Sequence, residues 1–254
     1  MKLDLQKASI LKRLSAWLLD FIVLCIAVVG FASVISAVSG YDGYSESLEA
    51  HYAHYEKEYG VKFEITEEEY NAMTPEQKEN YDAAYEALIA NKDAMHDYNM
   101  VLSLSVLVIS LGLLLGYLLT EFIIPMLLGN GQTIGKKVFA LAVMRTEGVK
   151  INGISLFIRT ILGKYTIETM IPVLVLIMLL FNISGLFGII LALGIGVVQI
   201  VLLVSTPTNA LIHDKLADTV VVDLSSQMIF DSTEALLEYK KRIAADEATK
   251  QSYF

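Results

Sequence analysis

An apolar stretch with one carboxylate inside it constrains the fold of this chain more than any other feature. Residues Leu14 to Val38 contain Asp20 and no other charged residue. At about 25 residues, the stretch is long enough to cross a hydrocarbon core of ~30 Å as a helix. A carboxylate at that depth costs at least ~2.5 kcal/mol on insertion scales, so Asp20 requires a partner or a function. Arg13 lies two helical turns earlier on nearly the same face, which makes it the first candidate for that partner.

The distribution of charge predicts which parts of the chain lie on each side of a membrane. Apolar residues make up 55% of the chain, which is typical of a membrane protein. The N-terminal tail is basic, with Lys2, Lys7 and Lys12, and basic segments face the cytoplasm. Residues 40–97 hold 15 acidic residues against four lysines and no arginine, which places this insert outside the cell. Both termini are therefore predicted to be cytoplasmic.

Hydropathy and charge together predict an all-α membrane protein: a four-transmembrane-helix bundle with an external helical hairpin and a small cytoplasmic β-element. The predicted order is a cytoplasmic tail and first span (1–38), an extracytoplasmic acidic helical insert (39–98), a second span (99–128), a cytoplasmic hairpin and interfacial helix (129–165), the third and fourth spans (166–206), and a cytoplasmic C-terminal segment (207–254).

The basic segment after the second span predicts two small elements at the membrane surface. Residues 138–144 are apolar, and turn residues at 145–148 separate them from Val149-Lys150-Ile151, which indicates a β-hairpin. The three valines at 220–222 form a further strand that can join it. Ser155 can cap a helix whose polar face carries Arg159 and Lys164, which is typical of an interfacial amphipathic helix.

The acidic insert has the pattern of a helical hairpin. Thr66 and Thr74 each begin a capping box, and a helix from Pro75 is predicted to run unbroken into the second span. The insert also holds eight of the 13 tyrosines, together with His51 and His54. These side chains fit either a cation or peptide site, or an amphipathic hairpin packed through tyrosines with a solvated acidic face. The second interpretation is favoured, because the two histidines lack a further ligand at motif spacing.

Three pieces of sequence carry a resemblance to a known family. They are Arg13–Ala16 with Leu19-Asp20, Gly131–Lys137 ahead of an apolar stretch and Glu147-Gly148, and His213–Val221. In this order they resemble the RDD family of bacterial membrane proteins, which is named for one arginine and two aspartates. The resemblance covers a domain of about residues 10–222, without the acidic insert.

The resemblance implies roles for particular residues and a location in the bacterial cell membrane. On this match the arginine is Arg13, the first aspartate is Asp20, and the second is assigned to Asp214 in preference to Asp218. Transport of unidentified ligands has been suggested for the family, and sodium/proton exchange for some members. The resemblance therefore implies a multi-pass membrane protein and indicates a fold better than it indicates a reaction.

Four residues are the candidate site: Arg13, Asp20, Asp214 and Glu121. Carboxylates in a low dielectric have raised pKa values and can exchange a proton for a cation, which favours transport or cation/proton exchange. The structural alternative is that Arg13, Asp20 and Asp214 form a buried ionic cluster that fixes helix register.

A different functional class remains open, namely a non-transporting membrane adaptor or accessory protein whose external hairpin binds a partner. An enzyme is not expected, because no Ser or Cys nucleophile motif accompanies His213-Asp214 and Gly131–Lys137 lacks the spacing of a phosphate-binding loop. No catalytic residue, cofactor, metal or nucleic-acid partner is predicted. The expected partners are the lipid bilayer, a second copy of the chain in a homo-oligomer, and an extracytoplasmic protein.

Overall fold

The computed structural model of the protein describes residues 6–180 and 186–251, most of which are helical. The helices are α1 (Ile10–Ser39), α2 (Tyr41–Tyr59), α3 (Glu67–Ala72), α4 (Pro75–Ala90), α5 (Lys92–Tyr117, Leu118–Ile123 and Ile124–Leu128), α6 (Ile134–Val138), α7 (Gly153–Phe157, Ile158–Met170 and Ile171–Leu180), α8 (Leu186–Ser205), α9 (Ile212–Leu216) and α10 (Thr233–Gln251). The strands are β1 (Leu141–Arg145) and β2 (Thr219–Asp223). The middle segments of α5 and α7 are π-helical, a form that is frequent at functional sites.

Four of the described helices are long and apolar enough to cross a membrane: Ile10–Ser39, Lys92–Leu128, Gly153–Leu179 and Leu186–Ser205. Large apolar side chains remain exposed along them, for example Phe187 and Val204, each at 78%. Exposure of this kind is expected where lipid rather than water surrounds a helix. The predicted class, an all-α membrane protein with a small sheet, is confirmed.

The third span begins earlier than the sequence indicated. An interfacial helix ending at residue 165 was expected to precede a span from residue 166, but α7 is one continuous helical run from Gly153. Its N-terminal cap is Asn152, whose side chain accepts a hydrogen bond from the Ser155 backbone N–H at 2.7 Å. The two basic side chains that suggested a solvated face, Arg159 and Lys164, instead form ion pairs and are only 3% and 12% exposed. Residues 182–185, whose Asn-Ile-Ser-Gly sequence predicts a short outer turn between the third and fourth spans, lie outside the described residues.

The sheet joins two distant segments rather than two neighbours. β1 pairs antiparallel with β2, with Leu141 opposite Asp223 and Arg145 opposite Thr219. The predicted hairpin partner of β1, residues 149–151, contributes only an isolated bridge between Met144 and Lys150. The predicted valine strand is β2 itself, and its valines are buried. The longer pairing is the one with β2, because it buries apolar side chains of both strands.

The described chain divides into two compact units. The first joins the residues up to Val28 to those from Leu113 onward, and the second is Val29–Gly112. Within the second unit, α2 packs against α4, and both predicted capping boxes are present at Thr66 and Thr74. The helix from Pro75 does not continue into the next span, because Asn91 interrupts it and caps α5 through its side chain.

Candidate functional site

Asp214 lies at the centre of a buried group of charges in the first unit. It is only 1% exposed and is held between two guanidinium groups. Its Oδ1 pairs with Arg159 Nη1, and its Oδ2 accepts from Arg13 Nη2 at 3.2 Å. The backbone N–H of Leu211 also donates to Oδ2, at 3.0 Å. One carboxylate therefore connects α1, α7 and α9.

The charge state of Asp214 follows from these neighbours. Burial acts to raise the pKa of the carboxyl group, but the positive charges of the two arginines, that of Arg159 first, lower this pKa well below its ordinary value. Asp214 therefore stays ionised at any physiological pH and serves as a fixed counter-ion for two arginines.

Both arginines also bind neutral groups, which extends the cluster. Arg13 Nη1 donates to the carbonyl oxygen of Asn209 at 2.5 Å, in the segment that follows α8. Arg159 Nη1 donates to Thr219 Oγ1, the first residue of β2, at 2.7 Å. The Arg13–Asp214–Arg159 cluster thus links two spans to the sheet.

Asp20 is not part of this arginine cluster. Its Oδ1 accepts from the backbone N–H of Gly135 at 2.7 Å, and its Oδ2 accepts from Thr133 Oγ1 at 2.5 Å. Lys136 Nζ lies 3.6 Å from the same Oδ2. The expected action of Arg13 on Asp20 is not seen, because Arg13 turns towards Asp214 and Asp20 binds the turn at the start of α6.

Glu121 contacts both Lys136, which lies beside Asp20, and Lys164 on α7. Its Oε2 lies 2.5 Å from Lys164 Nζ and 3.9 Å from Lys136 Nζ. The Lys136 ammonium group therefore sits between two carboxylates, Asp20 and Glu121. Burial lowers the pKa of Lys136 to about 8, although both carboxylates act to raise it. We call Asp20, Lys136, Glu121 and Lys164 the alternating-charge group.

A third interaction fixes α9 against α7. The His213 backbone N–H donates to Glu168 Oε1 at 3.0 Å, and His213 Nδ1 lies 2.8 Å from both carboxylate oxygens. Burial, followed by the charge of Arg159, lowers the pKa of His213. A neutral His213 can donate from Nδ1 to the Glu168 carboxylate.

Most of these side chains, but not that of Asp214, line a cavity of about 630 Å³ within the first unit. Its charged lining residues are Arg13, Asp20, Glu121, Lys136, Arg159, Lys164 and Glu168. Apolar side chains complete the walls, among them Trp17 and Phe21 from α1 and Ile200 and Leu203 from α8. The arrangement combines a charged interior with apolar walls, which suits a small charged ligand inside a membrane.

The sequence patterns indicated Arg13, Asp20, Asp214 and Glu121 but not the other cations that neutralise these carboxylates. Arg159 and Lys164 were placed on the polar face of an interfacial helix, and Lys136 was not among the candidate site residues. The sequence did contain a signal for Arg159 and Lys164. The run from Gly153 to Leu179 is long enough to span a membrane, and charged residues inside such a run require partners. Within the described chain, no group of three or more His, Cys, Asp or Glu residues is placed to hold a metal ion.

The geometry defines a helical membrane protein with a cavity lined by paired and largely buried charges. Comparison with known families gives a match to the RDD family over residues 7–218, which is most of the chain. The protein therefore belongs to the RDD family, a membrane-associated family, as its sequence pieces indicated. A search of the curated proteins and a search of the solved structures each found no match.

Proposed function

We propose that the protein exchanges a monovalent cation for a proton across the membrane, with Lys136 as the proton-binding group. The observation that carries this proposal is the position of the Lys136 ammonium, 3.6 Å from Asp20 and 3.9 Å from Glu121 in the lining of the cavity. The ammonium occupies the place that a bound cation would take between the two carboxylates.

Charge balance supports a ratio of one cation to one proton. The alternating-charge group contains two carboxylates and two ammonium groups, so it is neutral when both lysines are protonated. Loss of the Lys136 proton leaves one uncompensated negative charge, because Lys164 stays on Glu121 at 2.5 Å. An unpaired charge in a low dielectric is costly, so binding of one monovalent cation is favoured. Protonation of Lys136 would then expel that cation.

The proton affinity of Lys136 is suited to this cycle. A pKa of about 8 leaves a substantial neutral fraction near physiological pH, whereas an exposed lysine would remain charged. Exchange is therefore expected to increase as the pH rises towards 8.

Lys136→Arg is expected to abolish exchange while the protein stays folded. Arginine preserves the positive charge between Asp20 and Glu121, but its pKa above ~12 prevents release of the proton. In vesicles containing the purified protein, addition of Na⁺, K⁺ or Li⁺ should collapse an imposed pH gradient. We expect the variant to reduce this rate at least about tenfold.

Lys137→Arg is the matched control, because Lys137 is exposed on the same short helix and should retain the wild-type rate. Unchanged exchange in Lys136→Arg would show that another group carries the proton. Failure of the wild-type protein to exchange any of the three ions would reject the function itself.

We further propose a topology and an assembly state. By the distribution of basic residues, both termini and the sheet lie in the cytoplasm, and the acidic insert lies outside a bacterial cell membrane. Four spans leave little room for alternating access in one subunit, so the transporting unit is proposed to be a homo-oligomer.

The alternative function is that of a membrane adaptor, and one observation favours it. The second unit is compact and distinct by itself, as a separate binding module would be. Deletion of Tyr44–Asp93 should then remove a crosslinked protein partner and leave the helical bundle folded, as judged by gel filtration. Intact ion exchange with no crosslinked partner in the full-length protein would exclude the adaptor.

A further inference from the structure

The second unit contains a cavity of its own, apart from the charged site. It has a volume of about 330 Å³ and is lined by residues of α2, α4 and the start of α5. Its lining residues are Leu48, Tyr52, Tyr85, Leu88, Ile89, Ala94, Met95 and Tyr98. The lining thus consists of apolar side chains and three tyrosines, with no charged group.

The three tyrosines present unused hydrogen-bonding groups. Tyr52, Tyr85 and Tyr98 come from three different helices, and within residues 6–180 and 186–251 no hydrogen bond joins their hydroxyls to the protein. Other tyrosines of this unit do have such bonds: Tyr55 accepts from Asn91 at 3.2 Å and Tyr70 donates to Asp82 at 2.9 Å. The free hydroxyls around the cavity can therefore accept hydrogen bonds from a ligand.

The surroundings of this cavity are strongly negative. Residues 40–97 carry 15 acidic residues against four lysines and no arginine. Acidic residues directly neighbour lining positions on all three helices: Glu49 follows Leu48, Glu86 follows Tyr85, and Asp97 precedes Tyr98. The summed field of such a segment concentrates cations at its surface and disfavours anions.

We propose that this cavity binds a protonated primary alkylamine. The ammonium group would lie among Tyr52, Tyr85 and Tyr98, donating to their hydroxyl oxygens and facing their rings. Aromatic faces attract cations, and the attraction increases when the cation is desolvated. The alkyl chain would pack against Leu48 and Leu88, which are 9% and 5% exposed.

The chemistry of the lining disfavours anions and metal ions as ligands. A carboxylate or phosphate ligand would find no cationic partner in the lining and would meet a repulsive field. A metal ion would find no charged ligand there, and neutral phenols bind metals weakly. An alkylamine can use all three kinds of group in the lining: the hydroxyl acceptors, the aromatic rings and the apolar side chains such as Leu48 and Leu88.

Binding can be measured by titrating butylammonium into the full-length protein in nanodiscs, with detection by saturation-transfer NMR or calorimetry. We expect saturable binding of butylammonium, and no binding of 1-butanol, which has the same chain without the charge. The double variant Tyr52→Phe/Tyr98→Phe retains both rings and removes two acceptors, so it should weaken the affinity at least about tenfold. Tyr70→Phe is the matched control and should bind as the wild type does.

Several outcomes would overturn the proposal. They are binding of 1-butanol as strong as that of butylammonium, equal binding by the double variant and wild type, or no saturable binding at all. Binding of an oligolysine peptide without binding of butylammonium would instead assign the surface to a protein partner. If the double variant does not fold, Tyr85→Phe at the half-exposed position provides the same test. None of these readouts depends on ion exchange, so the two proposals can fail separately.

Discussion

Replacing Asp214 with asparagine is expected to destabilise the protein by roughly 3–5 kcal/mol, the cost of breaking a buried ion pair from one side. The substitution keeps the size of the side chain but removes the charge that two guanidinium groups share. The side chains are only 3% exposed for Arg159 and 12% exposed for Arg13, so water replaces the lost partner poorly. We expect the midpoint of thermal unfolding in detergent to fall by several degrees or more.

Asp218→Asn is the matched control for this loss. Asp218 is four residues away and exposed, and its backbone has a φ of +50°, a conformation that asparagine tolerates well. Its Oδ1 accepts from Thr146 at 2.6 Å, and an asparagine oxygen can accept the same bond. The control should change stability by less than about 0.5 kcal/mol. Equal destabilisation by the two variants would contradict the importance of the ion pairs of Asp214 for stability.

The pH dependence of the Asp214 contribution has a definite sign. The pKa of Asp214 is lower in the folded protein than its unfolded value of about 3.9, so the folded state favours the ionised form. Its stabilisation is therefore complete above about pH 4 and is lost only as the pH falls through the folded-state pKa. Loss of the Asp214 contribution near neutral pH, measured as the difference in stability between the wild type and Asp214→Asn, would contradict a lowered pKa for Asp214.

Gly135→Ala is the second substitution expected to have a large effect, a loss of about 3 kcal/mol. α1 approaches the start of α6 so closely that the Gly135 backbone N–H reaches Asp20 Oδ1 at 2.7 Å. A Cβ at this position would overlap the Ala16 carbonyl oxygen and lie 2.9 Å from the carboxylate carbon of Asp20. The Ala16 carbonyl belongs to a helix backbone and cannot move aside without displacing α1.

Gly194→Ala separates this steric effect from the general effect of replacing a glycine in a membrane helix. Gly194 lies in α8, and a Cβ there would meet nothing within 4 Å. We expect this control to be neutral or slightly stabilising, because alanine is the better helix former. Thermal unfolding of both variants checks the prediction, and equal destabilisation by the two would show that close approach at Gly135 is not the cause.

Features that depend on neighbouring residues were predictable from the sequence. The long apolar runs indicated the spans, because crossing a membrane requires only a sufficient length of apolar helix. The capping boxes at Thr66 and Thr74 are present as predicted, since each needs only residues three positions apart. The strand at the valines 220–222 was also predictable locally, because consecutive β-branched residues favour an extended backbone.

The pairing of charges was decided by the tertiary structure. Arg13 and Asp214 are 201 positions apart, and nothing in the local sequence indicates that Arg13 binds Asp214 while Asp20 binds Thr133 and Gly135. The rotation and approach of the helices determine which side chains meet, and these follow from packing across the whole unit. Arg159 shows the physical reason most directly. Its position on a helical wheel is that of a solvated surface charge. Its burial is possible only because Asp214, from a distant part of the chain, forms an ion pair with it.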